Sequence, residues 1–228
     1  MKAVIFDLDG TLLDTESLSD QAILAVFDRH LPSHVNRSLL PWECKRQLLG
    51  LRGSEWTPIM IDYAHRQWNI ARDHLPSPNE LLVQWENHLN EYCKDVKLCQ
   101  GAMDLVNSLF KQNVPMAIAT SSRAAAIAGK RIRHEDMFSK IQVIVTGDDP
   151  FVKSGKPAPD IYIEAAKRLN VDPKKCLVFE DALSGVKSGK AAGCFVVAIP
   201  DVRFDEMDRS IFAKEADLVI PTLSDFKI

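Results

Sequence analysis

The sequence predicts an α/β fold: a parallel sheet flanked by helices, interrupted near its start by an all-helical insertion. Three observations predict it. Short apolar runs that end at polar residues recur along the chain. Segments of helical spacing lie between them, the alternation expected of a parallel sheet. About eighty residues between the first and second runs contain all four tryptophans, Trp42, Trp56, Trp68 and Trp85, but no segment that reads as a strand.

The first run is Ala3 to Phe6, followed by Val114 to Ala119, Ile141 to Val145, Cys176 to Phe179 and Phe195 to Ile199, with a weaker sixth at Leu218 to Ile220. They are apolar at nearly every position, which suits strands covered on both faces. Within the insertion, Ser77-Pro78-Asn79-Glu80 is a capping box with proline at the first helical position. It leads into a helix with Leu81, Leu82, Trp85, Leu89 and Tyr92 on one face, and the tryptophans are read as the core of a small bundle. Later, Pro159 and Asp160 open a helix with Ile161, Ala165, Ala166 and Leu169 on its apolar side, stopped at Asn170. Another starts after Asp181 and closes at Gly193, while Ser154 to Pro159 is a loop because Pro157 and Pro159 cannot both lie inside a helix.

With 46% apolar and 26% charged residues and a net charge of −3, the chain reads as an ordinary globular protein without the field that nucleic acid or an anionic membrane surface would need. The five cysteines (Cys44, Cys93, Cys99, Cys176, Cys194) form no CxxC pair or zinc pattern and are read as reduced thiols in a reducing compartment. No run is long enough to cross a bilayer and the first residues lack a signal-peptide core, so the expected setting is cytoplasmic. The expected partner is a small soluble metabolite, with the protein a monomer or weak dimer. Gly147-Asp148-Asp149-Pro150 is read as a turn, and none of the six histidines shows metal spacing.

The chemistry-bearing residues cluster at strand ends. Asp7-Leu8-Asp9-Gly10-Thr11 follows the first run directly, which puts two carboxylates at the carboxyl end of the sheet, where open α/β folds bind ligands. Thr120-Ser121-Ser122 ends the second run with hydroxyls and backbone N–H groups at a helix start, a place for phosphate oxygens or an ordinary helix cap. Lys156, between Gly155 and Pro157, offers an ammonium that could neutralise a phosphoryl group and a carboxylate together. Glu180-Asp181 ends the fourth run. Four carboxylates converging on one site repel unless a cation joins them, and a hard ion with oxygen ligands, Mg²⁺, meets that need while also binding phosphate.

The segments VIFDLDGT, IATSS, GKPAPD and VFEDA, in this order and at strand ends, resemble the four motifs of the haloacid dehalogenase superfamily of phosphatases. The resemblance spans nearly the whole chain. It implies a Rossmann-like core of residues 1–15 and 99–228 and a helical cap domain of residues 16–98. It further implies that Asp7 is the nucleophile and forms an aspartyl-phosphate, that Asp9 is the acid and base, and that Thr120, the Ser121 N–H and Lys156 grip the transferring oxygens. Mg²⁺ would be held by Asp7, the carbonyl of Asp9 and Asp181, with Glu180 direct or through water. Ser122, Arg123, Arg52 and Glu16 complete the candidate substrate-binding residues. Asp9 argues against the dehalogenases of the superfamily, which lack an acid there. Ser19 and Asp20, where β-phosphoglucomutases carry a histidine, disfavour a sugar-phosphate mutase, the alternative along with a non-catalytic phosphate-ligand binding protein. The core segments are most similar to the pseudouridine-5'-phosphatase group, which makes pseudouridine 5'-phosphate a candidate substrate.

Overall fold

The computed structural model describes residues 1–49, 51 and 53–227 of the chain. They divide into two compact units, Thr15–Val96 and Met1–Asp14 with Lys97–Ile228.

The Thr15–Val96 unit is helical: α1 (Glu16–Phe27), α2 (Trp42–Leu48), α3 (Gly53–Gln67) and α4 (Pro78–Tyr92). The capping box at Ser77 sets the start of α4, with the Glu80 N–H donating to Ser77 Oγ (3.3 Å) and the Ser77 N–H donating to Glu80 Oε2 (2.8 Å). The core joins Ile23, Leu24 and Phe27 of α1 to Cys44 and Leu48 of α2, Trp56 and Met60 of α3 and Leu81 of α4. Trp56 and Trp68 are buried, whereas Trp42 and Trp85 are half-buried, so the bundle core uses two tryptophans fully rather than four. Trp85 still meets Trp56 edge-on at 5.2 Å.

One feature of this core is ionic. Lys45, on the inward side of α2, is buried with its Nζ 2.7 Å from both Glu16 Oε2 and Asp20 Oδ1, and Asp20 is wholly inaccessible. Burial alone would lower the Lys45 pKa, but the two carboxylates outweigh it and hold the ammonium above its ordinary value.

In the other unit, β1 (Ala3–Phe6), β2 (Met116–Ala119), β3 (Val143–Val145), β4 (Cys176–Glu180), β5 (Phe195–Ala198) and β6 (Leu218–Val219) form a parallel sheet in the order β3-β2-β1-β4-β5-β6. The helices α5 (Ala102–Lys111), α6 (Ala124–Arg133), α7 (Glu135–Phe138), α8 (Asp160–Arg168), α9 (Leu183–Ala191) and α10 (Glu206–Glu215) connect them. This is the Rossmann-like order, and its reversal point lies at β1 and β4. Both strands, and β2, are buried at every position, the reason their sequences show no polar alternation. β2 starts two residues inside its apolar run because Pro115 has no N–H for the ladder. The Asn170 backbone, at φ 55°, ends the turn after α8.

The cysteines are free thiols, and burial pushes Cys176 up to about 11 and Cys44 and Cys194 up to about 12. Such thiols stay protonated and unreactive at neutral pH. Among the described residues no helix is long and apolar enough to cross a membrane.

Replacing Lys45 by Met strands the buried Asp20 carboxylate and is expected to cost about 3–5 kcal/mol. The Lys45→Met/Asp20→Leu double substitution is expected to recover much of it. Urea unfolding measures both, and a loss in the double variant equal to that of Lys45→Met contradicts the ion-pair account.

Candidate active site

The register of β1 on β4 pairs Phe6 with Phe179, and the next residues are Asp7 and Glu180. The Asp7 N–H continues the ladder to the Phe179 carbonyl (3.0 Å), so the two acids emerge side by side at the sheet's carboxyl edge. Lys156 joins them. Its Nζ donates to Asp7 Oδ1 (2.5 Å), to Glu180 Oε1 (2.6 Å) and to the Ala119 carbonyl at the end of β2 (3.2 Å). One lysine from the loop before α8 therefore ties three central strand ends together.

Glu180 has further partners: the Tyr162 hydroxyl donates to Oε1 (2.7 Å) and the Ala182 N–H to Oε2 (3.0 Å). With the Lys156 bond these fill most of its lone pairs, so Glu180 acts here as the seat of Lys156. The helix above leaves space for it: a Cβ on Gly185 would lie 1.6 Å from Glu180 Oε1. Asp181, the next residue, accepts from Thr11 Oγ1 (3.1 Å). It packs on Gly10, where φ is +87° and a Cβ would come within 2.2 Å of Asp181 Oδ2. Glycine is required there by both backbone and contact.

The chain turns sharply after Asp7, with the Leu12 and Leu13 N–H groups donating to the Leu8 carbonyl (3.0 and 2.9 Å). Asp9 leaves this turn toward the loop after β2. Its Oδ2 accepts from Ser122 Oγ (2.7 Å) and Thr120 Oγ1 (3.4 Å), and its Oδ1 from Lys130 Nζ (2.5 Å). The Ser122 N–H in turn donates to Thr120 Oγ1 (3.0 Å). The helix that follows begins at Ala124, whose N–H is taken by Asp148 Oδ1 (2.9 Å) from the turn after β3. Asp149 of that turn pairs with Arg168 at 2.7 Å, so the Gly147–Pro150 segment is a structural turn.

Burial raises the Asp7 carboxyl to about 8 against the pull of Lys156, with Glu180 and Asp9 pushing the same way as burial. Burial alone would lower Lys156, but Asp7 and Glu180 outweigh it and hold the ammonium above its ordinary value. Burial and Glu180 raise the Tyr162 phenol well above its own, so it remains a donor. Among the described residues no three or more His, Cys, Asp or Glu side chains converge as a metal cage. Asp7 and Asp181, just past the ends of the adjacent strands β1 and β4, and the Asp9 main-chain carbonyl are oxygen donors that suit an ion which keeps water and phosphate in its shell, the habit of Mg²⁺.

A sequence profile of the haloacid dehalogenase-like hydrolases matches residues 4–199. The chain belongs to that family. Among its relatives, "(DL)-glycerol-3-phosphatase 2" of Arabidopsis thaliana is 37% identical over 230 residues, 98% of this chain and 88% of the relative. "Probable pseudouridine-5'-phosphatase" of Drosophila melanogaster is 33% identical over 233 residues, covering 98% of this chain and 90% of the relative. The solved structure of a family IA, variant 3 hydrolase from Entamoeba histolytica superposes with a TM-score of 0.76 at 28% identity, covering 100% of this chain and 96% of that one. The family read from the four motifs is therefore the family found, with the α/β fold it implied.

Of the candidate residues of this hydrolase, Asp7, Lys156 and Glu180 share one bonded group, Asp9, Thr120 and Ser122 share a second, and Asp181 is bonded to Thr11. Ser121 is exposed in the loop after β2, and Arg123 is an exposed residue at the start of α6. Glu16 lies in the helical unit on Lys45. Arg52 lies outside the described residues. Two residues of these groups are not singled out by the sequence, Tyr162 on Glu180 and Lys130 on Asp9. Tyr162 sits one turn into the helix opened by Pro159 and Asp160, on its apolar side next to Ile161, a position that signals core rather than site.

Tyr162→Phe removes one donor from a buried, charged acceptor. It is expected to cost about 1.5–3 kcal/mol of stability. Urea unfolding checks this, and an unchanged midpoint contradicts the assigned hydrogen bond.

Proposed function

We propose that this chain is a Mg²⁺-dependent phosphomonoester hydrolase that acts on a small phosphorylated metabolite through an aspartyl-phosphate intermediate on Asp7. The observation that carries the proposal is the pairing of a desolvated Asp7 with the Lys156 ammonium at 2.5 Å, beside a second aspartate, Asp9, held in place by Ser122. A nucleophile fixed next to a fixed proton carrier is what in-line phosphoryl transfer asks of a protein, since positioning and charge stabilisation supply most of the catalysis.

In the first step a carboxylate oxygen of Asp7 attacks phosphorus as the ester P–O bond breaks, and protonated Asp9 gives its proton to the departing oxygen. In the second, Asp9 takes a proton from water as that water attacks the phosphorus of the aspartyl-phosphate, which frees Asp7 and inorganic phosphate. Lys156 balances charge on Asp7 and on the transferring oxygens; Thr120 and the Ser121 N–H bind those oxygens. Asp7, Asp181 and the Asp9 carbonyl would hold Mg²⁺, which when bound neutralises the charge between carboxylate and phosphate. Residues 1–15 and 99–228 carry the chemistry, and residues 16–98 serve as the cap domain with Glu16 and Arg52 as candidates for reading the leaving group. The relatives named for glycerol 3-phosphate and for pseudouridine 5'-phosphate support the choice of small esters.

The test is phosphate release from glycerol 3-phosphate, pseudouridine 5'-phosphate, uridine 5'-phosphate and sugar phosphates with Mg²⁺. At least one ester is expected to be hydrolysed, Asp7→Asn to lower the rate by roughly a thousandfold or more, and chelation to abolish it until Mg²⁺ is restored. Release that persists in folded Asp7→Asn, or in excess chelator, contradicts the proposal.

A further inference from the structure

Lys130 is a buried charge bonded to Asp9 that the chemistry above leaves without a role. Helix α6 is largely exposed, with Ala124, Ala125, Arg131 and Arg133 open to solvent and Ile132 78% accessible. Its inward face is narrow: Ile127 and Lys130, one turn apart, are the residues it buries. The Lys130 side chain is only 2% accessible, whereas its carboxylate partner Asp9 is 24% accessible. A buried ammonium costs hydration unless paired and hydrogen-bonded, so a helix with so much open surface would ordinarily turn its lysine outward. Here it reaches in, to Asp9 Oδ1 at 2.5 Å and Ser122 Oγ at 3.2 Å.

The two contacts act on one group. Ser122 Oγ donates to Asp9 Oδ2 at 2.7 Å, so Lys130 bonds one oxygen of Asp9 and also touches the hydroxyl that holds the other. Thr120 adds a weaker bond to the same Oδ2 at 3.4 Å. The carboxylate is therefore gripped at both oxygens by a lysine and two hydroxyls of neighbouring segments, bonds that must break before it can rotate.

We propose that Lys130 is a positioning residue for the reaction: it fixes the Asp9 carboxylate, with Ser122, in the orientation from which the proton passes to the leaving oxygen. The inference rests on the reading of Asp9 as acid and base. It also gives Ser122 a different task from the substrate contact expected of it, that of a second anchor for Asp9. The role separates from a merely structural ion pair by leaving group, because an alkoxide must be protonated to depart whereas p-nitrophenolate leaves without help.

The test compares glycerol 3-phosphate with p-nitrophenyl phosphate for the unmodified enzyme, Lys130→Met, Lys130→Gln and Lys130→Arg. With glycerol 3-phosphate, Lys130→Met is expected to lower kcat roughly a hundredfold, the scale of lost general acid catalysis, with KM little changed. With p-nitrophenyl phosphate the first turnover is expected near the unmodified rate, giving a burst of p-nitrophenolate equal to the enzyme present before a slowed steady state. Lys130→Arg is expected to restore part of the loss. If Lys130→Met does not fold, Lys130→Gln reads the same comparison with a neutral polar side chain. Equal losses for the two esters in the first turnover, or none for either, overturn the inference while leaving the phosphatase reading intact. If the unmodified enzyme does not turn over glycerol 3-phosphate, the alkyl ester of the panel above that it does hydrolyse takes its place in the comparison, and no turnover of any of these esters overturns both.

Discussion

One alignment governs the centre of this protein: Phe6 lies opposite Phe179 in the β1–β4 register, and the residue after each is an acid. Asp7 and Glu180 are thereby forced together in a buried place, where like charges repel and neither is well hydrated. Lys156 makes the placement tenable by bonding both and the end of β2 as well. Other features can be understood as support for that lysine. Tyr162 and the Ala182 N–H complete the bonding of Glu180, and Gly185 keeps the space that its carboxylate fills. Asp181, one residue further, instead locks against Gly10 and Thr11, which joins the loops after β1 and β4.

Burial of lysine recurs beyond this centre. Lys45 in the helical unit lies on Glu16 and Asp20, and Lys130 lies on Asp9. Each pair trades hydration for ion pairing, but the surroundings differ. The Lys45 cluster lies within the bundle, where its effect is on packing and stability. Lys130 and Lys156 lie on carboxylates at the carboxyl edge of the sheet, so loss of either exchanges a fixed acid for a mobile or repelled one. Pairing of this sort specifies geometry more surely than it adds stability.

The strands were legible because buried parallel strands advertise themselves as unbroken apolar runs, and Ala3–Phe6 coincides with its run residue for residue. The capping box of α4 was equally legible, since it depends on four consecutive residues. The core acids could be read as a set because they stand at strand ends, and Lys156 because glycine and proline fix it in the loop that opens α8. What escaped depends on contacts between distant segments. Lys130 lies 121 residues from Asp9, and in a helix written Ala-Ala-Ala-Ile-Ala-Gly-Lys it reads as an ordinary solvated lysine. Glu180 and Asp181 look alike as neighbours in sequence, yet Glu180 ends β4 on Lys156 whereas Asp181, the first residue past the strand, bonds Thr11. Asp148 in the turn after β3 takes the Ala124 N–H at the start of α6, a bond that spans 24 residues and has no local signature.

In the proposed reaction the carboxylate held by Lys156 accepts the phosphoryl group. Rapid acid quench during turnover, followed by mass spectrometry of the peptide containing Asp7, tests it most directly. One phosphoryl group on Asp7, formed within the first turnover and decaying at the rate of phosphate release, is the predicted result. Phosphate release with no phosphorylated peptide at any time, or with the phosphoryl on another residue, would contradict it.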